Sequence, residues 1–187
     1  MRAIVAIGSG FVAVGDARTG TAGKVVQPAA WTSGDGLTWT RADFDDSGKK
    51  GSLSGLTTGG PGLVAVGDIE DQGLAATSGD GSSWSVTQTG APALQAIASV
   101  GESVFALGVL NKDVEPHAEL QLFRSDDGVA WQRVPGLPSI PDALSYRSVD
   151  LATASDHAVV VGWVEAIEGT GADVSRNFSY SSQSSAP

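Results

Sequence analysis

Residues 31–39 read WTSGDGLTW, and the same placing of a serine, an aspartate, a glycine and a tryptophan returns as ATSGDGSSW at 76–84 and FRSDDGVAW at 123–131. In register, Ser33, Ser78 and Ser125 align, then Asp35, Asp80 and Asp127, then Gly36, Gly81 and Gly128, then Trp39, Trp84 and Trp131. Asp-Gly between strand-like segments marks a hairpin, because glycine takes the positive φ that a tight turn requires and the aspartate carboxylate accepts bonds from the turn's own amides. The serine hydroxyl can close the same loop from the preceding strand. The tryptophan opens the next strand and buries a large ring that anchors the hairpin. Three of the five tryptophans serve this one position.

A second element precedes each hairpin: VAVG at 12–15, VAVG at 64–67 and FALG at 105–108, with a fourth occurrence, VVVG, at 159–162. Upstream of each stands a further short apolar run and a turn, as in AIVAIGSG and LQAIASVGES. Each unit therefore reads strand, turn, strand, variable loop, strand, tight turn, strand, in roughly 40 to 50 residues, the size of a propeller blade. The expected fold class is all-β, a β-propeller-like repeat of four-stranded antiparallel blades forming one domain over 1–187. Its units fall at about 2–44, 53–89, 94–135 and 146–187. A sandwich or a β-solenoid are the alternative ways to stack such repeats. The last unit is degenerate: Phe178 and Tyr180 alternate as in a strand, but no Asp-Gly and no tryptophan follow, and the serine-rich end at 181–187 is expected to fray. Because propellers usually close with about 4 to 8 blades, four units imply either a small ring or part of a larger one, completed by further blades or by self-association.

The opening MRAIVAIGSGFVAVG has a positive charge before an apolar stretch, as a signal peptide does, but Gly8-Ser9-Gly10 interrupts it and the VAVG run recurs inside the chain. Two strands and a turn are the reading. No stretch approaches the run of apolar residues needed to cross a bilayer as a helix.

The three hairpins resemble Asp-box repeats, also called BNR repeats, of the β-propellers of sialidases and many secreted proteins. The family pattern is serine or threonine, any residue, aspartate, any, glycine, any, threonine or serine, then an aromatic. Counted from Ser33, Asp35 falls at the family's aspartate position but Gly36 follows directly and Trp39 comes one residue early. The resemblance implies a propeller and an extracytoplasmic location. A working sialidase of that family has three arginines on the substrate carboxylate, a tyrosine nucleophile paired with a glutamate, and an aspartate acid/base, with an RIP-like motif before the first box. No such motif occurs here. Arg2, Arg18, Arg41, Arg124, Arg133, Arg147 and Arg176 are scattered, and Tyr146 and Tyr180 are the only tyrosines.

Composition narrows the partners. Eleven basic residues against 21 acidic give a formal net charge of −10, with no basic run to track a phosphate backbone, so nucleic acid and anionic membranes are poor partners. Absence of cysteine excludes disulfides, thiolate metal sites and a cysteine nucleophile. Asp16 and Asp68 each follow the VAVG strand at a place where both can face a common channel, but solvated loop positions explain them better. The acidic groups DIED (Asp68, Glu70, Asp71) and DFDD (Asp43, Asp45, Asp46) lack the glycine-spaced loop of a dedicated calcium site. Glu115, His117 and Glu119 in EPHAE would share one face of an extended segment and are the metal candidates, set against Pro116 and a long variable loop. His157 has no ligand partner nearby in sequence, and Asn177-Phe178-Ser179 is a nominal glycosylation sequon. The glycine groups GSG and GGPG precede strands rather than helices, so they are turns and not phosphate cradles. No cofactor is called for.

A repeated framework with variable segments at 16–30, 68–74 and 109–119 and no catalytic set leads to the expectation of a non-catalytic glycan- or protein-binding module. The alternatives are part of a sialidase-type glycoside hydrolase whose catalytic residues lie elsewhere, and a structural spacer of a larger cell-surface protein.

Overall fold

A computed structural model describes residues 1–20, 25–44, 48–111, 118–140, 143–154, 157–167 and 173–183. These residues form sixteen strands and no helix. The first sheet holds β1 (Ala3–Ile7), β2 (Gly10–Thr19), β3 (Val25–Ser33) and β4 (Thr40–Arg41), hydrogen-bonded in chain order. The second holds β6 (Gly51–Gly59), β7 (Gly62–Ile69), β8 (Gln72–Ser78) and β9 (Ser83–Pro92), with β5 (Asp43–Phe44) added outside β9 as a short parallel strand. The third holds β10 (Leu94–Val100), β11 (Ser103–Asn111), β12 (Ala118–Ser125) and β13 (Gln132–Val134). The fourth has three strands, β14 (Ala143–Ala154), β15 (His157–Ile167) and β16 (Asp173–Gln183). All other pairings are antiparallel, and the sheets stack in chain order as the blades of a propeller do.

The sequence repeat is a repeat of register. Phe11, Leu63 and Val104, each the residue just before the V-x-V-G element, pair with the hairpin serines Ser33, Ser78 and Ser125. In the fourth sheet Ala158 stands in the same place and pairs with Ser182, so the pairing continues into the serine-rich end as far as Gln183.

In the first three sheets the V-x-V-G strand is covered on both faces, which explains why it is apolar throughout. Val12 and Val14 join a core with Leu53, Leu56 and Ala65 of the second sheet. Val64 and Val66 join one with Leu94, Ile97 and Ala106 of the third. Leu107 and Val109 meet Tyr146, Val149, Leu151 and Val160 of the fourth. Each of the first three sheets thus sends two large aliphatic side chains forward and receives the next sheet's inner strand on them. The glycine that ends the element has its own cause. At Gly67 a Cβ would collide with the Ser52 carbonyl as the inner strand β6 begins, and at Gly108 it would press within 3.0 Å of Pro92. The inner strands β6, β10 and β14 bend near this glycine through register shifts at Leu53/Gly55, Leu94/Ala96 and Tyr146/Ser148.

Strand direction divides the molecule into two rims. The S-x-D-G hairpins follow β3, β8 and β12 at the end where Phe11 meets Ser33. The β2–β3, β7–β8 and β11–β12 connections leave from the opposite end, where Thr19 pairs with Val25, Ile69 with Gln72 and Asn111 with Ala118.

Candidate functional site

The hairpin rim is chemically closed. The Ser33 Oγ accepts the Gly36 N–H at 2.9 Å and donates to Asp35 Oδ1 at 3.1 Å, and that oxygen accepts the Leu37 and Thr38 amides at 2.8 and 2.7 Å. The Trp39 indole N–H returns to the Gly36 carbonyl at 3.2 Å. Ser78, Asp80, Gly81 and Trp84 repeat the pattern, with Ser82 adding its hydroxyl to Asp80 Oδ2 at 2.7 Å. Ser125, Asp127, Gly128 and Trp131 repeat it again. The three glycines have φ of +73°, +80° and +74°, which supplies the reason for glycine at that position.

These bonds favour the charged carboxylate. Asp35 is held below its ordinary 3.8 chiefly by the Thr38 and Leu37 amides, and Asp127 by those of Ala130 and Val129. Asp80 is lowered first by the Ser82 hydroxyl and then by the Ser82 and Ser83 amides. An open cleft of about 480 Å³ runs past Asp35 and Asp80, but each carboxylate's strongest bonds are spent inside its own turn.

Polar side chains are less self-contained at the opposite rim. Arg2 Nε donates to Asp16 Oδ1 at 3.0 Å, and the Ser52 hydroxyl donates to Asp68 Oδ1 at 2.9 Å. A cleft of about 210 Å³ joins Arg2 to Asp68, Lys50, Glu70 and Asp71. Glu70 and Asp71 both take positive φ, +51° and +65°, as the central pair of a two-residue hairpin turn. The DIED segment is therefore a tight turn, and Glu70 leans on Lys49 at 3.6 Å. Asp45, Asp46, Glu115 and His117 lie outside the described residues. Glu119 pairs with Arg133 and also accepts from Gln121 Nε2 at 3.2 Å. Among the described residues, no three His, Cys, Asp or Glu side chains gather where they could hold a metal ion.

A recess between the third and fourth sheets brings together residues that stand apart in sequence. Glu119 and Gln121 of β12, Arg133 of β13 and Tyr146 of β14 all border a pocket of about 140 Å³ along the outer edge of β12, closed by the Pro135–Ser139 connection. Beside it, and sharing Leu120, Leu137, Pro138 and Tyr146, lies a mostly apolar recess of about 200 Å³ bordered by Phe178 and Tyr180. Tyr146 and Phe178 meet edge to face at 5.6 Å, and the Tyr180 hydroxyl donates to the Gly136 carbonyl at 3.3 Å. Burial raises the Tyr146 phenol above its ordinary 10, and the Glu119 charge pushes the same way against a bond from the Ile140 backbone. A phenol kept neutral in this way is a hydrogen-bonding group.

Glu119, Arg133, Tyr146 and Tyr180 are each singled out in the sequence, yet nothing there joins them. Gln121 does not stand out at all. Its one signal is a polar residue inside the apolar run AELQLF, where it is only 8% exposed. His157 lies at the start of β15, and Arg124 bonds Ser103 and Asp126 on the hairpin rim, away from the recess.

The sequence matches no protein-family model and no curated protein. Its fold resembles the endosialidase of phage phi92, with a TM-score of 0.63 and 10% identity over 96% of this chain and 34% of that one. It also resembles BT0996, solved as an RGII complex (TM-score 0.52, 12% identity, 98% of this protein, 70% of that one). A glycoside hydrolase gives a TM-score of 0.50 at 9% identity over the whole chain and 73% of its own length. The chain spans about a third of the endosialidase's length. Likeness at these identities is likeness of fold: a propeller-type array of antiparallel sheets, shared with proteins whose names speak of glycans.

Proposed function

We propose that this chain is a glycan-binding propeller module whose site is the recess between the third and fourth blades, and that it takes neutral rather than acidic saccharides. One observation carries the reading: the pocket bordered by Glu119, Gln121 and Arg133, planar donors and acceptors, adjoins an apolar recess bordered by Tyr146, Leu137 and Tyr180. A sugar ring asks for that combination, hydroxyl partners at its edge and apolar surface beneath it. The preference for neutral ligands follows from charge. Arg133 already faces the Glu119 carboxylate, so it offers little net attraction to an acid, and the chain as a whole carries −10. On this reading the three S-x-D-G-x-x-W hairpins are Asp boxes that staple the blades and touch no ligand.

The test is calorimetric titration with neutral and acidic oligosaccharides. Neutral oligosaccharides should bind, and Arg133→Ala should weaken them about 10- to 100-fold, the loss of about 1.5–3 kcal/mol expected for bonds to a charged donor. Leu37→Ala, on the opposite rim, should change nothing. Equal affinity for Arg133→Ala and the parent chain would remove the site from consideration.

The enzymatic alternative draws on the Tyr146–Glu119 juxtaposition. It requires turnover of a fluorogenic glycoside that Tyr146→Phe abolishes.

A further inference from the structure

The three seams between blades are built to one plan. On the receiving side, the inner strand offers Leu56, Ile97 and Leu151, paired in register with Ala65, Ala106 and Val160. All three are buried against the preceding sheet. The residue in this place in the first blade is Ile4, paired with Ala13, and it is 57% exposed. On the sending side, Val14, Val66 and Leu107 are fully buried against the following sheet, whereas their counterpart in the fourth blade, Val161, is 43% exposed beside Trp163 at 38%.

A finer detail repeats with them. The second hairpin seats its Gly81 against Val12 and Thr32 of the first sheet, and the third seats Gly128 against Val64 and Thr77 of the second. Val12 pairs with Thr32 and Val64 with Thr77, so the seat is a valine beside a small hydroxyl residue. In the third sheet the same pair is Phe105 and Arg124, too large for a seat, and the fourth blade has no Asp-Gly hairpin to place there. The fourth sheet returns to a small pair, Val159 and Ser181. The first hairpin's Gly36 has its nearest contact with Phe11 of its own sheet and, among the described residues, none with another sheet.

We infer that two copies of this chain associate head to tail, the fourth blade of one receiving the first blade of the other, with Ile4 on the Val159–Val161 strand and the Gly36 hairpin seated on Val159 and Ser181. The occupant is identified by the seam itself: the exposed face of the fourth blade carries the sending half, and the first blade carries the matching receiving half. A contact of this kind is heterologous and forms a closed ring when the rotation permits. Two copies give eight blades, within the range over which propellers close.

Light scattering across a concentration series tests this. The parent chain should pass with rising concentration to twice its 18.9 kDa mass. Ile4→Glu and Val161→Glu change exposed side chains and should each stay monomeric while keeping the parent's cooperative melt. Mixed one to one, they should form a dimer, because each retains the half the other has lost. Val159→Phe, which copies the third blade's seat, should weaken the parent's association at least tenfold. A parent chain that remains monomeric overturns the inference and leaves the two faces to another partner. So does a single variant that still self-associates, or a mixture that does not.

Discussion

Gly81→Ala separates the two reasons for glycine in these hairpins. At φ +80° an alanine carries the left-handed penalty of about 1–2 kcal/mol. Its Cβ would also overlap Val12 Cγ2, which is fully buried and cannot swing away, adding about 1–3 kcal/mol of overpacking. Gly36 has nearly the same φ, +73°, but a Cβ there meets only Phe11 at 3.4 Å, an ordinary contact. Gly36→Ala should therefore cost about 1–2 kcal/mol and Gly81→Ala about 2–5 kcal/mol. Gly79→Ala, with open space and no positive φ, should be close to neutral.

Urea unfolding of the monomeric Ile4→Glu background measures all three without interference from association. Val12→Ala supplies the cycle: alone it should cost about 1.5–3 kcal/mol for a fully buried valine, but it should recover about 1–3 kcal/mol in the Gly81→Ala chain by opening the space the new methyl needs. Equal costs at Gly36 and Gly81, with no coupling to Val12, would refute the seat, and with it the geometry on which head-to-tail docking rests.

Two further outcomes follow from the same hairpins. Trp84→Phe keeps the ring against Phe44 but loses the indole bond to the Gly81 carbonyl at 2.9 Å, so it should cost about 0.5–1.5 kcal/mol, while Trp84→Ala, at a site 5% exposed, should cost about 3–5 kcal/mol in the same urea titration. Asp35, Asp80 and Asp127 have folded pKa values below 3.8, so their contribution is complete above that value and is lost as pH falls through the lower, folded one; melts should hold steady with respect to these groups down to about pH 4 and then fall, and Asp80→Asn should flatten the acid limb, an unchanged limb counting against the turn bonds.

The fold was legible because its cause is local and repeated. Asp-Gly with a serine two residues before the aspartate is a turn whose hydrogen bonds close within four residues, as Ser33 to Gly36 and Asp35 to Thr38 show. The alternating V-x-V run declares a strand covered on both faces, and its recurrence gives the blade count. The recess resisted because its members converge through stacking. Glu119 and Arg133 lie on neighbouring strands of one blade, Tyr146 on the next, and no spacing in the chain encodes which pair of sheets leaves a gap. The inserted β5 was hidden for a similar reason: Asp43 bonds the Ser82 carbonyl across two blades, a pairing set by where the first hairpin releases the chain.

That contrast bears on where recognition belongs in this molecule. A rim whose carboxylates and amides satisfy one another can vary little without loosening a blade, since each removed partner strands a turn amide or carbonyl. Opposite it, the connections differ in length, from the two-residue turn at Glu70 and Asp71 to the longer spans between Thr19 and Val25 and between Asn111 and Ala118. The recess of Glu119, Gln121, Arg133 and Tyr146 forms at the point where one such connection, Pro135–Ser139, crosses between blades. Its residues can change without cost to the staples. On the proposed reading, a scaffold of this kind would exchange one ligand for another at the loop rim while the three hairpins and the aliphatic seams stay as they are.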